Sequence, residues 1–506
     1  MGSTFMGLET AKRGITAQRA GLYVTSNNVS NANTDGYSRQ RVAFKAENPY
    51  PVISVYDGKT YGQMGTGVQV GTVERIRNSF LDLQYRDHNN NLSYYSTKSD
   101  ALSQMEGVMN DLTDEGLNRA FDNLWKSLQV LSETKNADTA SARTVVKTSA
   151  QALVDQFRLL NSSLTTIQKN LKTELDSTAK DVNTLLSQID EVNKQIAAVE
   201  PNGYLPNDLY DTRDTLIDQL SSFVDIKVSY NPPGGNALKI AEGTVNIDII
   251  GANGQSAGTI LNGVTNEKSE LQISYDNTTG LVNSLQFGTT TIAADQLQVN
   301  GKVKALVEAY GYMSNGAEKG MYPDMLAELD EVAKVFMEAF NDVHKQGYTL
   351  TGASGQDFFD IENNDDLNKG LAARIKVSDV ILASTDNIAA SLNQTQGDGS
   401  NATKLANIQD LKLPIGENTT TIQDYYQNVI AEMGVQGKKN MTLESSSAAL
   451  VNSANERRMS TSAVSIDEEM TNMIQFQHAY NAAARIMTLQ DEVLDKVING
   501  MGVVGR

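Results

Sequence analysis

The stretch from Val146 to Val199 constrains this chain more than any other. Apolar residues fall at Val146, Ala150, Leu153, Phe157, Leu160, Leu164, Ile167 and Leu171. The series resumes at Leu175, Thr178, Val182, Leu185, Ile189, Val192, Ile196 and Val199. Both halves alternate steps of four and three residues, the period of an α-helix with one buried stripe. Two consecutive four-residue steps, Ile167 to Leu171 to Leu175, join them, a stutter that locally unwinds a coiled coil. No proline interrupts the run, and Pro201-Asn202-Gly203 ends it. At 1.5 Å per residue the helix is about 80 Å long. Few compact enzymes need such a rod.

Helix is expected at both ends as well. Leu8, Ala11, Ile15, Gln18, Leu22, Thr25 and Val29 make a heptad-like seam, polar at Gln18 and Thr25, that stops in Asn31-Ala32-Asn33-Thr34-Asp35-Gly36. The C-terminal seam runs Ile466, Glu469, Met473, Phe476, Tyr480, Ala483, Met487, Gln490, Leu494, Val497 and Met501, and Gly500 and Gly502 end it. Between them, Gln40–Phe44, Val52–Tyr56 and Val68–Val73 read as hairpin strands. A short helix over Asp208–Phe223 carries Leu209, Leu216 and Leu220 on one side. From Val224 the composition turns to Gly, Thr, Asn, Val and Ile, with turns at Pro232-Pro233-Gly234-Gly235 and Asn300-Gly301. Helix returns at Val303–Met313, at Asp324–His344 and from Ile422 onward.

The expected fold is therefore mainly α with inserted β domains, elongated and multi-domain. Residues 1–40 and 465–506 form a long coiled-coil-like stem of N- and C-terminal helices. Residues 41–223, 303–346 and 414–464 form a helical body with a hairpin region near 41–77. Residues 224–302 form an inserted β domain, and 347–413 a candidate second small insertion.

Composition excludes several classes of function. With 42 Lys and Arg against 61 Asp and Glu, the net charge is −19. Nucleic acids and anionic membrane surfaces want the opposite sign. There is no cysteine, which removes disulfides, thiolate nucleophiles and cysteine-held metals. No run of 18 apolar residues spans a membrane. Met1 to Val29 lacks the continuous apolar core of a secretory signal, so any export uses a route that reads none.

The catalytic inventory is thin. His88, His344 and His478 stand far apart, and no H-E-x-x-H pairing occurs. Ser177 and Lys180 match S-x-x-K, but no S-D-N or K-T-G accompanies them. Asp360 to Asp366 is similar to a calcium loop, yet Asp365 takes the glycine position and Leu371 the closing glutamate position. It reads as a solvated acidic loop. No phosphate-binding glycine motif opens a helix. We expect no catalytic residue, no cofactor and no metal.

The ends carry a resemblance. Leu22 to Gln40 reads LYVTSNNVSNANTDGYSRQ, with Asn27, Asn28, Asn31, Asn33, Gly36 and Tyr37 at its heart. It resembles the N-terminal signature of bacterial flagellar rod, hook and hook-associated proteins. Val464 to Arg485 is similar to that family's C-terminal helix, with His478 where an arginine is usual. Asp208 to Asp214 and Phe340 to Tyr348 resemble the members at the hook–filament junction.

The resemblance implies a non-enzymatic subunit forming a ring of about eleven copies between hook and filament. Its partners are further copies of itself, the hook protein, a second junction protein on the filament side and an export chaperone on the C-terminal helix. It would lie outside the cell on the flagellum, exported through the flagellar type III channel without a cleaved signal peptide. Terminal regions in that family are unfolded as monomers and pair on assembly. The assembly residues expected are Leu8, Ala11, Ile15, Leu22 and Val29, with Met473, Phe476, Tyr480, Met487, Leu494 and Val497. The alternative is an exported enzyme or adhesin carried on such a stem, active in Val224–Gly301 or Gly347–Leu413.

Overall fold

The computed structural model describes residues 5–50, 64–109, 116–251, 255–297, 300–362, 369–395, 397–416 and 418–500. The strand expected at Val52–Tyr56 and the seam residue Met501 lie outside them. Helix α1 (Met6–Ser30) leads into an antiparallel hairpin of β1 (Gln40–Ala46) and β2 (Val68–Arg75). Three helices follow: α2 (Ser79–Met109), α3 (Leu117–Ser132) and α4 (Ala140–Val199). At 60 residues α4 is about 90 Å long. Every residue of its expected register is buried except Ile167 and Val199, which are half-buried. The stripe is long because one helix serves several cores in turn.

At its N-terminal half α4 meets an aromatic cluster. Phe121 and Trp125 of α3 stack at 6.0 Å, and Phe121 meets Phe157 edge-on at 5.9 Å. Phe336 and Phe340 of α7 (Met321–Lys345) close the cluster against Phe358 and Phe359. Further along, α4 supports two sheets. One is antiparallel, β3 (Ile226–Asn231), β4 (Thr244–Ile250), β5 (Ser256–Asn262) and β6 (Glu267–Lys268). In β4, Val245, Ile247 and Ile249 are buried and their neighbours are not, the alternation of a sheet with one covered face. The other sheet contains β7 (Leu271–Tyr275), β8 (Val282–Phe287) and β9 (Thr290–Ala293).

Asparagines on α4 fasten both sheets. Asn193 donates to the Val245 carbonyl at 3.0 Å and accepts from its N–H at 3.1 Å. Asn183 does the same for Leu271, at 3.0 and 2.7 Å. A side-chain amide thus supplies the donor and acceptor that a neighbouring strand would, and pairs the backbone groups of Val245 and Leu271. Asn341 of α7 repeats the device on Phe359.

Two local expectations change. The helix read over Val303–Met313 is α6 (Lys302–Tyr310), and it stops at Gly311. Tyr312–Ser314 and Ala317–Lys319 become the hairpin β10–β11, and Tyr312 pairs in parallel with Val282 of β8. Gly311 and Gly320 both take φ above +110°, a conformation that suits glycine and breaks the helical periodicity on either side. On α5 (Asn207–Phe223) the buried residues are Tyr210, Asp211, Arg213, Asp214, Ile217, Leu220 and Ser221. Leu209 and Leu216 are only half-buried, because the inward face of this helix carries Asp211, Arg213 and Asp214 beside Ile217 and Leu220.

The rest of the body comprises short elements. β12 (Phe359–Ile361) pairs with β13 (Ile375–Val377), around α8 (Leu371–Arg374). α9 (Asp379–Ala383) and α10 (Ser400–Ala406) precede the hairpin β14 (Leu413–Ile415) and β15 (Asn418–Thr420). α11 (Ile422–Ser462) then runs back along α2, and α12 (Ile466–Asp495) returns along α1. The accessible surface is 26606 Å². A compact protein of 54.9 kDa exposes only about 18,000 Å², so the molecule is elongated. No helix among the described residues is long and apolar enough to cross a membrane.

Candidate assembly interface

The stem is an antiparallel pair, α1 against α12, and its contacts recur every seven residues on both helices. A Cβ placed on Gly7 would lie 2.9 Å from Cδ of Gln490. On Gly14 it would lie 3.6 Å from Cβ of Ala483, and on Gly21 3.0 Å from Cδ2 of Phe476. At the fourth level Asn28 Nδ2 donates to Oε2 of Glu469 at 3.1 Å. Glycine inside a helix costs about 1 kcal/mol relative to alanine. Here it lets the backbones approach, and the Phe476 ring lies on the α1 surface and meets Phe44 edge-on at 6.0 Å.

The seam expected on α1 is one residue out of phase with this ladder. Leu8, Ile15, Leu22 and Val29 each follow a ladder residue, and all four are half-buried. Ala11 is buried, together with Ala17, Gly21, Val24, Thr25 and Asn28. The seam expected on α12 contains Glu469, Phe476, Ala483 and Gln490, all four ladder partners. Met473, Phe476, Tyr480, Met487 and Leu494 are half-buried along that stripe, while Val497 is 41% exposed. In this structure the seam residues of α12 face α1 of the same chain.

Other large apolar side chains of α12 have less cover. Met470, Ile474, Ile486, Leu489 and Val493 are each about half exposed. Single exposed aliphatics are ordinary, but five large ones on one terminal helix make that helix a candidate contact surface for another chain.

The Asn-rich turn joins the stem to the body. Asn28 treats Gln40 as the other clamps treat their strands, donating to its carbonyl at 2.8 Å and accepting from its N–H at 3.0 Å. The Tyr37 hydroxyl donates to Oδ1 of Asn28 at 2.8 Å and accepts from Asn27 at 3.3 Å. Burial, with the charges of Asp211, Asp208 and Glu469, raises the Tyr37 pKa, so the hydroxyl stays a neutral donor. Asn31 caps α1 by donating to the Asn27 carbonyl at 3.0 Å. Gly36 has φ +77°, and a Cβ there would strike Oγ1 of Thr215. Asn33 is exposed at the crest. Arg39 completes the joint, donating from Nε to Glu469 at 2.8 Å and from Nη1 to Glu468 at 2.6 Å. Glu469 is 2% exposed, and both its oxygens are engaged.

Beneath the turn lies a buried ionic hub. Arg75 of β2 donates to Asp211 at 2.7 Å and to Asp214 at 3.1 Å, and also to Glu242. Arg77 lies 3.2 Å from Asp214 and donates to both oxygens of Asp82. Arg86 of α2 and Arg458 of α11 share Asp218. Arg213, fully buried, donates to the Gly243 carbonyl at 2.7 Å and to Glu242. Burial works to raise the Asp214 pKa, but Arg77, Arg213, Arg75 and Arg86 outweigh it and hold the carboxyl at about 2. The Ser38 N–H donates to Asp211 at 3.1 Å, which ties hub to turn. Hairpin, α2, α5, α11 and the loop before β4 are thus fixed to one another where the stem begins.

Nothing in the histidines suggests catalysis. His344 is buried, with Nδ1 2.5 Å from the Gln356 carbonyl oxygen and Nε2 accepting from the Ala389 N–H at 2.9 Å. Burial pushes its pKa down to about 4, so it is a neutral strut. His478 is exposed and His88 half-buried. Among the described residues no group of three or more His, Asp or Glu is arranged to hold a metal ion.

Sequence reasoning missed the hub and the glycine ladder. Asp211, Arg213 and Asp214 stood in a stretch noted only for its resemblance. Gly7, Gly14, Gly21 and Asn28 carried a readable signal, a seven-residue period that a search limited to apolar residues passes over.

Comparison with known proteins agrees with this architecture. Residues 8–37 match the family model for flagella basal body rod proteins, and residues 456–500 match that for the C-terminal part of the flagellar basal body rod FlgEFG proteins. Paired ends of this kind define an axial protein of the bacterial flagellum. Residues 102–359 match the helical domain of flagellar hook-associated protein FlgK. The chain is 54% identical to flagellar hook-associated protein 1 of Bacillus subtilis, over the full length of both. The Salmonella typhimurium protein of the same name is 23% identical over 97% of this chain and 98% of its own. The chain belongs to the flagellar hook-associated protein 1 (FlgK) family. The solved structure of the flagellar hook junction protein FlgK from Burkholderia pseudomallei superposes with a TM-score of 0.60 at 14% identity. It covers 76% of this chain and all of the other, so the fold is shared.

Proposed function

We propose that this chain is a non-catalytic structural subunit of the hook–filament junction, assembling through its stem into a ring of about eleven copies. The hook protein meets one side of that ring and a second junction protein the filament side. The chain reaches the outside of the cell through the flagellar channel without a cleaved signal, its C-terminal helix held beforehand by an export chaperone. One observation carries the reading: Met470, Ile474, Ile486, Leu489 and Val493 stay about half exposed on a helix that α1 already covers along one side. Completing the burial of each contributes roughly 1 kcal/mol. The hub and the Arg39–Glu469 clasp suit a part that transmits torque, because they fix the stem to the body with charged hydrogen bonds.

Ile474→Asp and Leu489→Asp test the reading in cells lacking the native chain. Both should abolish filaments through the cost of burying a charge, while the melting of the purified body barely moves. Asp491→Ala, exposed on the same helix, should support normal filaments. Filaments on both aspartate variants would show that these side chains do not take part in assembly.

A further inference from the structure

Away from the stem, α3 and α4 bound an open groove of about 700 Å³ on the surface of the body. Its α3 wall is Arg119, Asn123, Lys126 and Val130, which step by four, three and four residues and are all exposed. On the α4 side Val145, Thr148 and Ala152 line it. Val130 and Val145 are 48% and 53% exposed, towards the loop that joins the two helices. Small side chains, Ala120, Ala142 and Ser149, line the rest, and they let a third helix approach to about 8–10 Å between axes. Among the described residues no carboxylate pairs with Arg119 or Lys126. The groove therefore fits a helix that presents carboxylates followed by an apolar residue.

The chain carries such a helix. On α11, Asp424, Asn428, Ala431 and Val435 repeat the four-three-four spacing, and all four are exposed, Val435 to 68%. Glu432 is exposed beside them. The buried residues Tyr426, Met433, Gly437 and Asn440 lie on the opposite side of α11, so the stripe stands proud of the body. The two registers coincide. Asp424 to Val435 spans eleven residues, as does Arg119 to Val130. With the helices parallel, Asp424 meets Arg119, Glu432 lies one residue from the level of Lys126, and Val435 reaches Val130 and Val145. Within one chain this seating is closed off. Gln423, at the start of α11, donates to Asp122 at 2.9 Å, and Asp122 lies outside the groove.

From these observations we propose that the groove between α3 and α4 receives the N-terminal part of α11 from a second copy of the chain. Groove and ridge are different surfaces, so the contact is head-to-tail and every copy has one of each. Interfaces of that kind close into rings. At a net charge of −19 two copies repel, and local pairing of opposite charges offsets this where they meet. The inference rests on the ring reading above and adds a contact between bodies, separate from the stem.

The absence of cysteine makes the contact readable. A Val130→Cys/Val435→Cys variant replaces the native chain in cells, and isolated flagella are oxidised mildly and run on a non-reducing gel. A ladder of dimers, trimers and longer products should form and collapse on reduction, while either cysteine alone should give monomer. Lys126→Glu and Glu432→Lys should each lower the fraction of cells with filaments at least threefold. Both changes in one chain should restore that fraction to within twofold of native. Thermal melts of the purified variants check that the body stays folded; if either reversal lowers the melting, the ladder alone decides. Filaments on the double-cysteine strain without a ladder would overturn the proposal. So would a ladder that stops at dimers, the mark of a symmetric contact. Single reversals that change nothing, or a paired reversal that restores nothing, would overturn it as well. None of these failures touches the ring reading, which falls only if a strain deleted for the chain still bears filaments.

Discussion

The ladder predicts opposite outcomes for the same substitution at two glycines. At Gly14 an added methyl meets Ala483 at 3.6 Å, ordinary contact, so Gly14→Ala gains the helix propensity of alanine, about 1 kcal/mol. At Gly21 the methyl meets three Phe476 ring atoms at 3.0 to 3.1 Å. Swinging the ring away would give up its edge-on contact with Phe44 at 6.0 Å. Overpacking of that kind costs about 1–3 kcal/mol, which equals or exceeds the propensity gain. Hydrogen exchange of α1 amides where the stem is paired reads both effects, since protection scales with local opening free energy. Gly14→Ala should raise protection about fivefold, the equivalent of 1 kcal/mol. Gly21→Ala should leave it level or lower it, and adding Phe476→Leu should recover most of the loss. Equal gains at both positions would refute the close approach of α1 and α12 at Gly21.

Two further predictions concern the body. Asp214→Ala leaves Arg75, Arg77, Arg86 and Arg213 short of a shared carboxylate, so it should destabilise the folded body by about 3–5 kcal/mol in urea unfolding; a loss below about 1 kcal/mol would show that the joint does not depend on it. His344 and Asp214 should give the acid limb of stability two stages. A folded pKa of about 4 for His344, below its ordinary 6.5, contributes stability that is full above 6.5 and lost as pH falls toward 4. Asp214, held at about 2 against 3.8, adds roughly 2 kcal/mol that is lost only between about pH 4 and 2. Thermal melts of His344→Gln between pH 7.5 and 2 should lack the first stage and keep the second.

How much of this was legible depends on what kind of residue makes each contact. The α4 register could be read because leucine, isoleucine, valine and phenylalanine make its core and recur at the helical period. The α12 seam could be read for the same reason, and it contains the ladder partners. On α1 the closest contacts belong to glycine and asparagine, so counting apolar residues gave a phase one position late. The asparagine clamps at 183, 193 and 341 were invisible because a helical asparagine looks like a weak helix former until the strand beside it is known, and Asn28 was marked only by the resemblance, not by its role. The hub joins residues 75–86 to 211–218, 242 and 458, and nothing local announces such a meeting. The β10–β11 hairpin was hidden behind a helix that ends one residue before its controlling glycine.

The central claim, that this chain links hook to filament as a structural part, is tested most directly by electron microscopy of cells from which it has been deleted. The account predicts complete hooks with no filaments attached and flagellin shed into the medium. Filaments of normal length on the deletion strain would contradict it.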